Sequence, residues 1–428
     1  MPYTRGDDKL HITFCDMGHG DFIPIALPNG KLLVIDCGSK GFDGNYWNPK
    51  QDSDVLRARA FRSAFEDQRL LGNNQSIDLL ILTHPDKDHC FYCSNLFIET
   101  YTGQKPAPKA VQAFYSSTLN NYDKHGVPNI IFQYVDTIYS ITINQNKTQY
   151  GEVERKKYRT GAYLTEKDIE TSAKGTAELL KKSDVEATRG FVKVLDGTGK
   201  DGIACGVYIL ASNVESYANL DDGSSPGNRG SIVTMIIYGD KKLLFMGDGT
   251  FNTEHFLKQT YSDRIKEVEL LHVPHHASLA TSSSAAGHPP APPSPNINFV
   301  GLVNPCYVVI TAAWDVGQKL ALPRYEVIDR YHSGSRLKTK PADIEDQYKQ
   351  ISCYRLVTTD VPVKTDADGR VIKFRKESGN AQAIYPATKH IWCTGSHGKI
   401  DFDYGPDEKG SINLLPADAE PESDTDDE

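Results

Sequence analysis

A short polar stretch that follows a buried strand constrains this chain more than any other feature. Residues 77–82, Ile-Asp-Leu-Leu-Ile-Leu, have the length and branching of a buried strand, and the next eight residues read Thr-His-Pro-Asp-Lys-Asp-His-Cys. On extended backbone, His84, Asp86 and Asp88 would point the same way and His89 would begin the next turn. A polar strand end with a helix cap would use the same residue types. However, two imidazoles and two carboxylates are costly to desolvate at the end of a hydrophobic strand unless a cation pairs with them. The stretch therefore predicts a site for a divalent cation.

Other predicted strands also end in polar residues. Residues 10–38 read as two or three strands, with a turn at residues 28–30 and Asp36 at the end of the last strand. Residues 232–246 read as a hairpin around Gly239-Asp240, which delivers Asp248 to the end of a buried strand. The run His272-Val273-Pro274-His275-His276 follows the apolar residues 268–271.

These motifs together resemble a known family. The pattern His-x-Asp-x-Asp-His after a hydrophobic strand resembles the metal motif of the metallo-β-lactamase superfamily, which more often reads His-x-His-x-Asp-His. The Asp variant is similar to the soluble hydrolase domain of ComEC-type DNA-uptake proteins. Residues 14–21, 32–38, 244–248 and 271–278 fit that branch in the same order, so that the resemblance covers most of residues 10–340.

The resemblance implies a fold and a set of site residues. The implied fold class is α/β, a metallo-β-lactamase-like four-layer αββα sandwich with an insertion and a β-rich C-terminal extension. The implied cofactors are two divalent metal ions, bridged by Asp248. One of His275 and His276 is expected to be a ligand and the other to protonate the leaving group, and the sequence does not rank them. With His275 taken as the ligand, the metal-binding set is His84, Asp86, Asp88, His89, Asp248 and His275.

The same residues predict the chemistry. This nitrogen and oxygen ligand set without thiolates suits Zn²⁺ or Mn²⁺. A metal-bound hydroxide held between two ions is positioned for in-line attack on a phosphodiester. Asp36 would orient a ligand imidazole, because metal-bound histidines usually donate their second N–H to a carboxylate. The predicted catalytic residues are Asp88, His275, His276 and Asp36. The predicted phosphate-binding residues are Lys87, Arg229 and Arg324, each of which is also a common kind of surface charge.

One motif of the family is missing. Where the family usually has a His-Pro pair, this chain has Leu322-Pro323-Arg324, which removes a candidate final metal ligand. Either one metal position is incompletely filled, or Asp315 or a water molecule replaces the histidine.

The chain divides into three predicted regions. Residues 1–340 would form the metallo-β-lactamase-like hydrolase domain, with an insertion at about residues 101–185 over the rim of the active site. Residues 341–415 would form a β-rich extension packed on that domain, and residues 416–428 a disordered acidic tail. The insertion and the acidic tail are the candidate docking segments for a protein partner.

Composition narrows the function classes. No apolar run approaches the ~20 residues that cross a bilayer, so no membrane contact is expected. The eight cysteines are scattered, and we expect free thiols in a reducing, cytoplasmic environment. The formal net charge is −9, and seven acidic residues of the tail leave the rest of the chain at −2. Such a surface does not favour a strong, purely electrostatic grip on long DNA.

The sequence therefore predicts a metal-dependent hydrolase, and phosphodiester hydrolysis on nucleic acid or nucleotide substrates is the first hypothesis. Two alternatives stay open. The same hydroxide would attack a carbonyl, as in a lactone, thioester or β-lactam, because fold does not determine the substrate. The missing His-Pro pair would also fit a weakly catalytic member that binds a partner.

Overall fold

A computed structural model describes residues 6–39, 76–97, 109–117, 121–122, 126–152, 191–218, 224–278, 299–312, 322–332, 350–365, 371–386, 390–397, 399–405 and 411–414. The second half of the predicted insertion, Asp315 and the acidic tail lie outside these residues. None of the helices in the described ranges is long and apolar enough to span a membrane.

Among the described residues, β-strands outnumber helices. In chain order the strands are β1 (Leu10–Phe14), β2 (Ile23–Ala26), β3 (Leu32–Ile35), β4 (Ile77–Leu82), β5 (Ala110–Tyr115), β6 (Val135–Ile143), β7 (Thr148–Glu152), β8 (Val192–Asp196), β9 (Cys205–Ala211), β10 (Val233–Tyr238), β11 (Lys241–Phe245), β12 (Leu270–His272), β13 (Tyr307–Ile310), β14 (Ile351–Thr365), β15 (Val371–Tyr385), β16 (Ile391–Cys393), β17 (Ile400–Tyr404) and β18 (Ser411–Leu414).

The helices are short. They are α1 (Lys87–Cys90), α2 (Val127–Tyr134), α3 (Pro226–Arg229), α4 (Phe251–Tyr261), α5 (Phe299–Val303), α6 (Tyr325–His332) and α7 (Thr394–His397), with 3-10 turns at Cys93–Leu96 and Pro274–Ala277.

Two large sheets form the framework. The first has nine strands in the order β18-β17-β1-β2-β3-β4-β5-β6-β7, and the second has seven in the order β16-β13-β12-β11-β10-β9-β8. Strands β3 to β6 run parallel to one another, and so do β11, β12, β13 and β16. Strands β14 and β15 form a separate antiparallel pair.

The side chains of β4 show how the two sheets and the helices pack in layers. Leu79 and Ile81 belong to a core that also contains residues of the second sheet, so the two sheets pack face to face. Leu80 and Leu82 point to the other side, into a second cluster that includes Ile131 of α2. A strand buried on both faces reads as a continuous apolar run, which explains the sequence Ile-Asp-Leu-Leu-Ile-Leu. Helix α4 packs against the second sheet. The predicted α/β class, with two large sheets, is confirmed.

Two regions contribute more to the sheets than the sequence predicted. Residues 110–152 were assigned to the insertion, but their strands β5, β6 and β7 extend the nine-stranded sheet. The first half of the predicted insertion is therefore sheet, and its polar residues reflect one partly exposed face of β6. In the C-terminal region, β16 joins the second sheet, and β17 pairs with β1 of the first. The domain boundaries themselves stay a prediction.

Candidate metal centre

The site lies where the strands of both sheets end. In α/β sheets, ligands bind outside the carboxyl ends of the parallel strands. Here the loops after β3 and β4 of the first sheet meet the loops after β11, β12 and β13 of the second. Each large sheet thus contributes part of one cluster of histidines and aspartates.

The metal motif after β4 is not extended along its whole length. The sequence predicted that His84, Asp86 and Asp88 alternate on extended backbone, but helix α1 begins at Lys87. The extended backbone ends at Asp86, with φ −80° and ψ 153°, and the backbone carbonyl of Asp86 accepts the N–H of His89 at 3.0 Å. This helical turn, rather than strand alternation, presents Asp88 and His89 to the centre.

Asp248 lies at the middle of the cluster. Its Oδ1 is 3.1 Å from His89 Nε2 and 3.3 Å from His276 Nε2. Its Oδ2 is 3.5 Å from His84 Nε2 and 3.6 Å from His275 Nε2. The two carboxylate oxygens therefore face two different pairs of imidazoles, which divides the cluster into an inner half and an outer half.

The inner half is fully enclosed. It consists of Asp88, His89, Asp248 and His276, whose ligand atoms lie within 4.8 Å of one another. None of the four side chains is more than 2% exposed. Two imidazoles and two carboxylates are an ordinary ligand set for Zn²⁺ or Mn²⁺.

The Nδ1 hydrogen bonds of His89 and His276 determine which atoms of these two imidazoles face each other. His89 donates its Nδ1–H to Asp36 Oδ2 at 2.7 Å, and His276 donates its Nδ1–H to the backbone oxygen of Thr311 at 2.6 Å. When both rings are neutral, as cation binding requires, each has one donor and one acceptor nitrogen, and the lone pairs of both Nε2 atoms face the cluster. These two atoms are 3.2 Å apart. Two acceptors at that distance repel each other unless a proton or a cation lies between them. The raised pKa of His89 allows a proton there, and a divalent cation fits the same place.

The outer half is more open. It consists of His84, Asp86, His275 and the shared Asp248, with His84 Nε2 3.8 Å from Asp86 Oδ2. His84 is buried, but Asp86 is 36% exposed and His275 is 21% exposed. Solvent can therefore reach the cluster from this side.

Asp36 lies behind the inner half. It is buried and accepts hydrogen bonds from the backbone N–H of Thr83 at 2.7 Å and from the Thr83 hydroxyl at 2.6 Å. Burial raises the pKa of Asp36 to about 6, against the opposing effect of His89. Its contact with His89 Nδ1 is the geometry of a carboxylate that orients a ligand imidazole.

Burial and charge also determine the protonation of the other central groups. Burial opposes the ionisation of Asp248, but the surrounding histidines, His89 first, hold its pKa well below the ordinary value. Burial likewise opposes a charged His89, yet Asp248, Asp36 and Asp21 outweigh it and raise its pKa well above the ordinary value. For His276, burial lowers the pKa more than the negative charge of Asp248 raises it, and the pKa falls to about 4. The cluster therefore holds an anionic Asp248 beside a neutral His276.

His275 and His276 occupy an unusual backbone. Their φ angles are 50° and 51°, and Ala277 follows at 61°, so three consecutive non-glycine residues are left-handed. This conformation costs roughly 1–2 kcal/mol per residue. The turn places the two imidazoles on opposite oxygens of Asp248, and both are thus brought to the cluster.

Several residues of the site were not predicted from the sequence. His19 Nε2 is 3.4 Å from Asp88 Oδ2, and Asp21 Oδ1 accepts the Thr311 hydroxyl at 2.5 Å. Asn228 Nδ2 is 3.0 Å from His275 Nε2. His19 and Asp21 lie in the stretch 14–21 that carries the family resemblance, which was the available signal, whereas Asn228 had none.

The predicted phosphate-binding residues are spread around the site. Arg229 lines a cavity of about 690 Å³ together with Asp86, Asn121, Glu215 and other polar residues. The Lys87 ammonium lies 4.6 Å from the centre of the Phe91 ring, and the backbone N–H of Arg324 donates to the carbonyl of Ala277. Arg229 thus shares this cavity with Asp86 of the metal cluster.

Comparison with known proteins finds distant structural similarity. No protein-family model matches the chain, and no curated protein matches it. Similar solved structures include a long-form RNase Z from yeast, with 12% identity over 72% of this chain and 37% of that chain and a TM-score of 0.33. The Zn²⁺-bound PqqB from Methylobacterium extorquens has 11% identity over 76% of this chain and 96% of that chain, with a TM-score of 0.35.

A further similar structure is a protein of unknown function from Enterococcus faecalis, with 15% identity over 67% of this chain and a TM-score of 0.29. The chain spans 53% of that protein and 37% of the yeast enzyme. RNase Z and PqqB have the metallo-β-lactamase fold. The similarity to ComEC-type hydrolase domains stays a prediction. The described residues therefore form an α/β protein of two large sheets with a candidate metal-binding cluster at the strand ends.

Proposed function

We propose that this chain is a metal-dependent phosphodiesterase that acts on nucleic acid or nucleotide substrates. One observation carries the proposal: the Asp248 carboxylate lies between four imidazoles, two on each oxygen, with Asp88 and Asp86 beside the two halves. A carboxylate shared between two ligand sets suits a pair of adjacent divalent cations.

The ligand residues have defined tasks. Asp88, His89 and His276 would hold the inner cation, and His84, Asp86 and His275 the outer one, with Asp248 common to both. When bound, such a pair of cations would supply a water of lowered pKa and positive charge opposite a phosphodiester. Asp36 and the backbone carbonyl of Thr311 keep the Nδ1 protons of His89 and His276 in place, so that the Nε2 atoms face inward.

The neighbouring cavity favours a polar substrate. Its volume of about 690 Å³ lies in the range of small-molecule sites, and its lining is rich in hydroxyl, amide and carboxylate groups. Arg229, which lines it, has the planar donors that suit a phosphate.

The first test is hydrolysis of a nitrophenyl phosphodiester with added Mn²⁺ or Zn²⁺. Asp248→Ala and Asp88→Ala should each lower kcat/KM at least about 100-fold, because each removes a charged ligand. Asp240→Ala is the matched control, since its side chain is 95% exposed in the β10–β11 turn, and it should keep full activity. Full activity in the Asp248→Ala protein would contradict the proposal, and so would turnover of thioesters without turnover of phosphodiesters.

A further inference from the structure

Asn228 lies between the outer half of the metal cluster and the polar cavity. It is a residue of helix α3, it is 8% exposed, and its neighbours Gly227 and Arg229 line the cavity. Its side-chain amide contacts His275, one of the two imidazoles of the outer half. The role inferred for it below rests on the proposed two-cation site.

A network of short contacts holds this amide. Ser225 Oγ accepts the backbone N–H of Asn228 at 3.1 Å, and the Ser225 hydroxyl donates to Asn228 Oδ1 at 2.5 Å. The backbone carbonyl of Asn228 accepts the N–H of Ser231, whose hydroxyl oxygen in turn accepts the backbone N–H of Asp248 at 3.1 Å. The same turn therefore positions the amide of Asn228 and the carboxylate shared by both halves.

The amide and a cation would compete for one lone pair. Asn228 Nδ2 donates to His275 Nε2 at 3.0 Å, and that Nε2 is also 3.6 Å from Asp248 Oδ2. An imidazole nitrogen that binds a cation cannot accept a hydrogen bond with the same lone pair. Rotating the amide by 180° removes the conflict, because Nδ2 would then donate to Ser225 Oγ and Oδ1 would face the cluster. A serine oxygen has two acceptor sites, so it can take both the backbone N–H and this second donor.

We propose that Asn228 Oδ1 is a ligand of the outer cation, and that the outer half binds a hard divalent cation more weakly than the inner half binds its own. The inner half has two imidazoles and two carboxylates, all buried. With Asn228, the outer half has two imidazoles and three oxygen ligands, of which one is neutral and one is shared. Carboxylate and carbonyl oxygens suit Mn²⁺ or Mg²⁺, and the exposed Asp86 and His275 leave the position open to exchange.

The test measures cation binding and needs no substrate. Protein stripped with a chelator is titrated with Mn²⁺ alone, and the bound metal is followed by equilibrium dialysis and by the spin coupling of paired ions. The natural chain should bind one Mn²⁺ tightly and a second more weakly. Asn228→Ala should weaken the second site about 10–100-fold and leave the first unchanged, and Asn228→Asp should tighten the second site because it adds a charge. Asn121→Ala is the matched control, since Asn121 is an exposed amide that lines the same cavity and should not affect either site.

The outcomes separate this inference from the proposed function. Unchanged binding of both ions by Asn228→Ala and Asn228→Asp would overturn the role of Asn228, and a natural chain that binds a single Mn²⁺ would overturn it as well. If Asn228→Ala does not fold, the nearly isosteric Asn228→Asp decides: a tighter second site supports the inference and an unchanged one overturns it. A chain that shows these binding shifts but hydrolyses no phosphodiester would overturn the proposed function alone.

Discussion

At the scale of single residues, the centre depends on which nitrogen of each imidazole carries the proton. His89 and His276 both direct Nδ1–H away from the centre, toward Asp36 and Thr311. The sequence identified His89 as a candidate ligand because it lies in one compact motif. It identified Asp36 through a separate strand end. It could not identify Thr311, whose contact with His276 is made by a backbone carbonyl 35 residues away. Every residue has a backbone carbonyl, so the sequence cannot show which of them accepts a hydrogen bond.

The buried His276 should make the stability of the cation-free protein depend on pH. Burial lowers its pKa from 6.5 to about 4, so the folded protein keeps it neutral while the unfolded chain protonates it. The contribution of His276 is therefore fully present above pH ~6.5 and is lost as the pH falls toward 4, by about 3 kcal/mol in total.

Urea unfolding in the presence of a chelator checks this. The free energy of unfolding is measured between pH 7 and pH 4.5 for the natural chain and for His276→Gln, which share every other titrating group. The natural chain should lose more stability on acidification than the variant. Equal slopes would mean that His276 is already accessible to protons in the folded state.

At the scale of elements, local patterns predicted the strands that lead into the site. The apolar run of β4 and the β10–β11 hairpin, with its turn at Gly239-Asp240, were predicted because short-range sequence determines them. The helical turn α1 was not, since alternation of His84, Asp86 and Asp88 fits a strand equally well. Strands β5 to β7 were assigned to an insertion because the parallel pairing of β5 with β4 and β6 has no local signal. The β6–β7 pair is a local hairpin, and its polar composition concealed it. Pairing over long sequence distances is what single-sequence patterns miss.

The position of α1 depends on a close backbone approach, which gives an element-scale prediction. A Cβ atom on Gly38 would lie 2.1 Å from the carbonyl carbon of Asp88 and 2.2 Å from the backbone nitrogen of His89. Gly38→Ala should therefore push α1 away, lower the free energy of unfolding by about 1–3 kcal/mol or more, and weaken binding of the inner cation.

Urea unfolding and Mn²⁺ titration measure both effects. Gly227→Ala is the control, because the nearest atom to a Cβ there, among the described residues, is Ser225 Oγ at 3.5 Å. It should leave stability nearly unchanged. If Gly38→Ala binds the inner cation like the natural chain, Gly38 is not what holds α1 in place.

At the scale of the whole molecule, the candidate centre joins the two sheets. His84, Asp88 and His89 follow β4 of the nine-stranded sheet, while Asp248 and His276 follow β11 and β12 of the seven-stranded sheet. Cations held among them would link the sheets at their common end, in addition to the apolar core between them. Binding to the folded state alone stabilises it, by about 2.7 kcal/mol when the free cation is at 100 times its dissociation constant.

Thermal unfolding tests this coupling. Mn²⁺ at that concentration should raise the melting temperature of the chelator-treated protein, and both sheets should unfold in the same shifted transition, because each supplies ligands. The same addition to Asp248→Ala should give little shift, since that variant lacks the carboxylate whose oxygens lie 3.1–3.6 Å from the Nε2 atoms of all four imidazoles. An equal shift in both proteins would mean that Mn²⁺ stabilises the fold at some other place, and the cluster would then not be the link between the sheets.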